Sequence, residues 1–286
     1  MGFCAGIVGP GGKRGKINRG ACPVFAVDGA LVVVILKPKY AQKTMKILAV
    51  GILSIASFTL QAQVISWNFD GYGDISGPGQ QAGIVPAVYW NSTYLIDGNS
   101  GAPENNLVDN TGTATTLGAS FTDNSQYGYA IQFSTPAQDA DGSYNKYMLN
   151  GYLNNGGGGD VTISLTGIPY TEYEILVYLS SDTAGRTGTV NVGGSTYDFT
   201  TMGPAEISGA NALFAQTSDT TGANPNADYA VFSGLTGSSE TITTDVPNYG
   251  GIAGFQVVET PEPSTLALVG LGGLAVLRMR SRGNKN

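Results

Sequence analysis

The 286-residue chain has no histidine and only two cysteines, and between residues 64 and 260 it has only two basic side chains, Lys146 and Arg186. Each absence removes chemistry. Without an imidazole there is no Ser-His-Asp or Cys-His nucleophile, no histidine base and no histidine-containing zinc site. Cys4 and Cys22 both precede residue 64, so the long middle stretch has no internal disulfide and no thiolate. Against its two bases that stretch carries 19 acids, a formal charge of −17. Such a surface repels phosphate, which excludes nucleic acid as a partner. The run Gly156–Gly159 lacks a following Lys-Ser/Thr and a helix, so it does not read as a phosphate loop. Chemistry here would have to run on carboxylates, tyrosines and backbone groups.

The two ends differ from the middle. Residues 1–44 hold Lys13, Arg14, Lys16, Arg19, Lys37, Lys39 and Lys43 against the single acid Asp28. Met45-Lys46 is followed by the 14-residue apolar run Ile47–Leu60 and then by Gln61-Ala62-Gln63. A charged start, a short apolar stretch and a small-residue exit are the pattern of a secretory signal segment over 45–62. The run falls short of the roughly 20 residues a membrane-crossing helix needs. Residues 1–44 then read as a disordered basic extension or the product of a mistaken start codon. In the alternative, Ala30–Leu36 joins the later run as a long leader or hairpin.

At the other end, over 260–286, Pro261-Glu262-Pro263 precedes the apolar segment Leu266–Leu277, and Arg278, Arg280 and Arg282 follow. Prolines stop a preceding strand, an apolar helix can enter a bilayer, and arginines hold its end on the cytoplasmic side. This order closely resembles the PEP-CTERM sorting signal. The resemblance implies a substrate of an exosortase, a membrane protease that cuts near Pro261-Glu262-Pro263. It further implies transient insertion in the inner membrane and delivery to the outer surface or extracellular matrix of a Gram-negative bacterium.

Between residues 63 and 259 the sequence breaks into short β-branched and aromatic runs separated by Gly, Asn, Asp, Ser and Thr, which predicts an all-β ectodomain. The expected strands are Val64–Phe69, Thr115–Phe121, Tyr127–Phe133, Tyr147–Leu153, Val161–Leu165, Tyr173–Leu179, Thr187–Val192, Ser195–Thr200, Ala227–Phe232, Glu240–Thr244 and Ile252–Val258. No stretch shows a helical period. That many strands close naturally as a jelly-roll-like β-sandwich. Ile65–Phe69, Gly83–Asn91, Leu107–Asn110 and Ile252–Val258 loosely resemble galactose-binding-type jelly-roll modules, and no binding residue is carried over from them.

Three local patterns carry candidate chemistry. Tyr89, Trp90 and Tyr94 lie beside Asn91, Ser92 and Thr93, and flat rings flanked by amides and hydroxyls suit sugar stacking with edge hydrogen bonds. The competing expectation is that Trp90 and one tyrosine fill the core. Asp139 and Asp141, in Asp139-Ala140-Asp141-Gly142-Ser143-Tyr144-Asn145, alternate oxygen ligands around a glycine as in a calcium loop, without the later bidentate glutamate. The competing expectation is a solvated turn whose carboxylates cap backbone amides. Glu172 and Glu174 share a strand face and imitate a glycosidase acid pair, although such spacing also suits solvent-facing residues.

The reading that results is a non-catalytic surface module that binds extracellular polysaccharide or belongs to its matrix, with at most a structural calcium as cofactor. A self-associating structural surface protein and a small carboxylate-based glycan hydrolase are the alternatives.

Overall fold

The computed structural model describes residues 24–27, 30–33, 62–69, 71, 73–93, 104–122, 128–154, 156, 160–247 and 249–260. The apolar run Ile47–Leu60, the Pro261-Glu262-Pro263 motif, the segment Leu266–Leu277 and Arg278, Arg280 and Arg282 lie outside them. Among the described residues no helix is long and apolar enough to cross a membrane. Strands β1 (Val24–Val27) and β2 (Ala30–Val33) pair antiparallel as a two-stranded sheet of their own.

The remaining elements follow in chain order: β3 (Val64–Phe69), β4 (Asn91–Thr93), β5 (Gly118–Thr122), β6 (Gly128–Ala130), α1 (Asn145–Asn150) and β7 (Gly151–Asn154). Then come β8 (Val161–Thr166), β9 (Tyr173–Ser180), β10 (Thr187–Val192), β11 (Ser195–Thr200) and α2 (Ala205–Ser208). The last elements among the described residues are β12 (Gln216–Thr217), β13 (Tyr229–Leu235), β14 (Ser239–Asp245) and β15 (Gly251–Glu259).

These strands form two sheets. One is five-stranded and antiparallel, ordered β11-β10-β14-β8-β5. The other is ordered β12-β13-β9-β15-β3-β4, with β7 paired to β15 and β6 to β7. One apolar cluster draws Ile163, Val190 and Ile242 from the first sheet and Ile175, Val177 and Phe255 from the second. The stacking of Trp67 on Phe121, with ring centroids 4.6 Å apart, joins β3 to β5 across the gap. A mostly β chain with two sheets facing one core is a β-sandwich.

The burial pattern explains the strands. Val161, Ile163 and Leu165 of β8 are buried while Thr162 and Ser164 between them are half-buried, the alternation of a sheet with one wet face. Strand β9 is mostly apolar and buried from Ile175 to Ser180, with Glu174 half-buried, as suits a strand lying between β13 and β15. Its outer face, with Leu176 and Tyr178, belongs to a second buried cluster containing Ile75, Trp90, Met148, Leu149 and Tyr152.

Two expectations are corrected. Tyr147–Leu153 is not one strand: a helical turn, α1, runs to Asn150 before β7 begins. The Asp139 carboxylate accepts the Lys146 N–H at 3.0 Å and so satisfies an orphan donor of the first turn, while Met148 and Leu149 bury against the sheet. A second short helix, α2, follows Pro204.

Candidate functional site

The proposed sugar contacts around Trp90 do not form an open platform. Trp90 is 1% exposed, its Nε1 donates to the Ala87 carbonyl at 3.1 Å, and its ring packs 6.1 Å from Tyr178. Asn91 is committed as well: its Nδ2 donates to the Ser66 and Val108 carbonyls at 2.8 and 2.9 Å, and its Oδ1 accepts the Val108 N–H at 2.9 Å. Trp90 and Asn91 therefore hold strands together and offer no ring face or free amide to a ligand. Tyr89 adopts a left-handed backbone, φ 56°, and is half-buried. Tyr94 lies outside the described residues.

Asp139 is 4% exposed, and its two carboxylate oxygens take the backbone N–H groups of Lys146 and Ala212. Asp141 accepts the Ser143 N–H at 2.9 Å, and that bond holds its carboxyl below the usual range. This is the turn-capping arrangement. Among the described residues no group of three His, Cys, Asp or Glu side chains is placed to hold a metal ion. Of the two glutamates, Glu174 accepts a hydrogen bond from the Ser233 hydroxyl at 3.2 Å, and both side chains are half-buried.

The structure instead assembles an aromatic cluster that local sequence patterns do not reveal. Tyr152 of β7 is buried and forms its base. Tyr129 of β6 lies 6.0 Å from it, with Phe133 at 5.3 Å and Tyr249 at 5.6 Å from the Tyr129 ring. Phe133 is 66% exposed and Tyr249 44% exposed. Two glycines let the strands beneath come this close. A side chain at Gly128 would collide with the Phe69 ring, and one at Gly251 with the Leu153 carbonyl.

Arg186, one of the two bases between residues 64 and 260, sits at the edge of this cluster. Its Nη1 is 3.1 Å from the Asp182 carboxylate and also donates to the Tyr249 carbonyl, while its Cζ lies 5.6 Å over the Tyr249 ring. Ser181 donates a second hydrogen bond, 2.6 Å, to the same carbonyl. Tyr249 is held in the left-handed region, φ 58°. A bulky residue pays about 1 kcal/mol or more for that conformation, so these contacts fix the outward direction of its ring. At the base, burial and the nearby Asp182 charge push the Tyr152 hydroxyl well above the usual tyrosine range, which keeps it neutral. It accepts the Asp182 N–H at 3.2 Å. The site offers two exposed rings, an ion pair and hydroxyls.

Two buried acids lie apart from these rings. Glu206 and Asp228 are both fully buried. Asp228 Oδ1 accepts the Ala215 N–H at 2.6 Å, and burial pushes its carboxyl up to about 7. Burial, followed by the Asp228 charge, raises Glu206 strongly. The Ser180 hydroxyl has one proton and faces both the Leu149 carbonyl at 2.8 Å and Glu206 Oε2 at 3.2 Å. The contact from Ser180 favours the charged form of Glu206 and so offsets part of the upward push of burial.

Residues 259–282 match the PEP-CTERM protein-sorting motif. No curated protein matches the chain, and neither result supports the resemblance to galactose-binding-type modules. The motif marks an exported protein of the cell envelope, sorted through an exosortase membrane protease.

Proposed function

We propose that this exported, exosortase-sorted protein presents a non-catalytic module that binds extracellular polysaccharide, with the aromatic cluster as its contact site. The observation that carries the reading is the pair of exposed rings, Phe133 and Tyr249, set around Tyr129 with the Arg186–Asp182 pair at the edge. Pyranose rings present flat C–H faces that pack on aromatic faces, and their equatorial hydroxyls take hydrogen bonds from charged groups at the rim. The β-sandwich is read as a jelly-roll-like scaffold that fixes these rings, and the ligand as the surface or matrix polysaccharide of a Gram-negative envelope. The test is a glycan array probed with the protein purified from its envelope. Retention of one or more hexose polymers is expected, and an array without a retained glycan overturns the reading.

A second reading is favoured by the further exposed apolar side chains Leu213, 49%, and Ile84, 37%. A matrix protein could cover such residues with a second copy of itself. Sedimentation velocity across protein concentration distinguishes the two, because only the self-associating protein gains mass without added glycan.

A further inference from the structure

The face of the five-stranded sheet turned away from the core is built from hydroxyls and amides. Register brings Thr196, Asn191, Thr243, Thr162 and Thr122 into one row that crosses all five strands. The next row is Thr241, Ser164 and Ser120. Thr122, Thr196 and Thr241 are exposed and the others are half-buried. Side chains of a row recur about every 4.8 Å across the strands and successive rows about every 6.7 Å along them, so the hydroxyls form a lattice. Asn191 Nδ2 donates to Thr196 Oγ1 at 2.7 Å, which fixes the amide in the plane of the row.

This lattice ends in a cleft of about 440 Å³ lined by Ser164, Leu165, Thr166, Asn191 and Thr241, with Glu240 also on its wall. The loop Gly193–Gly194, with φ of 59° and 82°, closes the β10–β11 hairpin beside the cleft. Positive φ at both positions is the type I′ geometry, and it leaves no side chain to obstruct the entrance. Two further acids, Asp198 and Asp245, lie one row beyond Asn191, level with Thr189 and away from the cleft.

The chemistry of the face selects its occupant. These rows present no apolar side chain, so neither a lipid surface nor an apolar protein patch finds a counterpart. They present no base, and the strongly acidic body around them repels polyanions. What remains complementary is an uncharged, repeating, polyhydroxylated chain, whose many weak hydrogen bonds add along the lattice. Resting on the polysaccharide-binding reading above, we infer that this face is a second contact surface, taking a neutral polysaccharide. It is carried by the five-stranded sheet, whereas the aromatic cluster is built on β6 and β7 of the other. One copy of the protein therefore holds two chains and cross-links them.

The test uses the purified protein, a soluble neutral glucan and a polyuronate of similar length, read by gel retardation and by light scattering of the cross-linked complex. The variant pair Thr162→Val and Thr243→Val keeps shape and strand propensity while removing hydroxyls from the row, and Thr241→Asp provides an independent change at an exposed position. The parent is expected to be retarded by the glucan and to cross-link it, and to ignore the polyuronate. Both variants should weaken retardation about fivefold and abolish cross-linking. Variants that cross-link glucan as the parent does, or a parent that prefers the polyuronate, overturn the inference while leaving the aromatic site standing. A parent retarded by neither polymer overturns both.

Discussion

The guanidinium of Arg186 lies over the ring of Tyr249, its Cζ 5.6 Å from the centroid, and the same side chain donates to the Tyr249 carbonyl. One side chain thus sets both the backbone and the ring of the most strained aromatic in the cluster. Arg186→Lys keeps the charge but loses the planar fork that serves Asp182 and the Tyr249 carbonyl together. We predict a stability loss of only about 1 kcal/mol, because the pair is partly exposed, together with faster amide exchange at Gly250 and Gly251. An unchanged exchange rate would show that Tyr249 is held by Ser181 alone.

The buried acids predict an inverted pH response. The Asp228 carboxyl rises from 3.8 to about 7 on folding, and Glu206 rises in the same sense. Between those values the folded state holds a proton that the unfolded state has released. Stability therefore falls as pH rises from about 4 to about 7, by on the order of 4 kcal/mol for Asp228, and Glu206 extends the loss further. Asp228→Asn keeps an acceptor for the Ala215 N–H and removes the titration. Thermal midpoints across this pH range should decline in the parent and flatten in the variant. Equal slopes would contradict the buried-proton assignment.

Asp139 acts as a cap, so its loss should not depend on metal. Asp139→Ala removes partners of the Lys146 and Ala212 N–H groups and should cost about 1–3 kcal/mol in denaturant unfolding. A chelator should leave the parent's thermal midpoint unchanged. A midpoint that drops with chelator and recovers with calcium would restore the calcium-loop reading of Asp139 and Asp141.

Tyr178 and Gln256 form a buried polar anchor for the loop after Ala82. The Tyr178 hydroxyl donates to Gln256 Oε1 at 2.5 Å and accepts the Ile84 N–H at 2.7 Å, while Gln256 Nε2 donates to the Val85 carbonyl at 2.8 Å. Tyr178→Phe strands the Ile84 donor and should cost about 1–3 kcal/mol, read as a lower denaturant midpoint at constant slope.

Elements whose signals are local were legible in the sequence. The alternation Val161-Thr162-Ile163-Ser164-Leu165 gave β8 its wet and buried faces, and the runs Thr187–Val192 and Ser195–Thr200 marked the two strands of a hairpin. Helix α1 was not, because its cap, Asp139, lies seven residues before Lys146 and no helix period develops in six residues. Trp90 has the composition of a sugar platform, but only tertiary packing on Tyr178 decides that it is core. The cluster of Tyr129, Phe133, Tyr152, Arg186 and Tyr249 is assembled from segments up to 120 residues apart, which no local spacing records. Arg186 stood out in the sequence only as one of two bases in an acidic stretch, and nothing in its spacing tied it to these rings.

The decisive comparison is retardation of the parent protein and of the Phe133→Ala, Tyr249→Ala double variant in gels containing a neutral glucan retained on the array. Both substitutions are at exposed rings, so the variant should unfold at nearly the parent's midpoint while its retardation falls tenfold or more, about 1.4 kcal/mol or more of binding. Equal retardation of parent and variant would contradict the assignment of the aromatic cluster as the polysaccharide site.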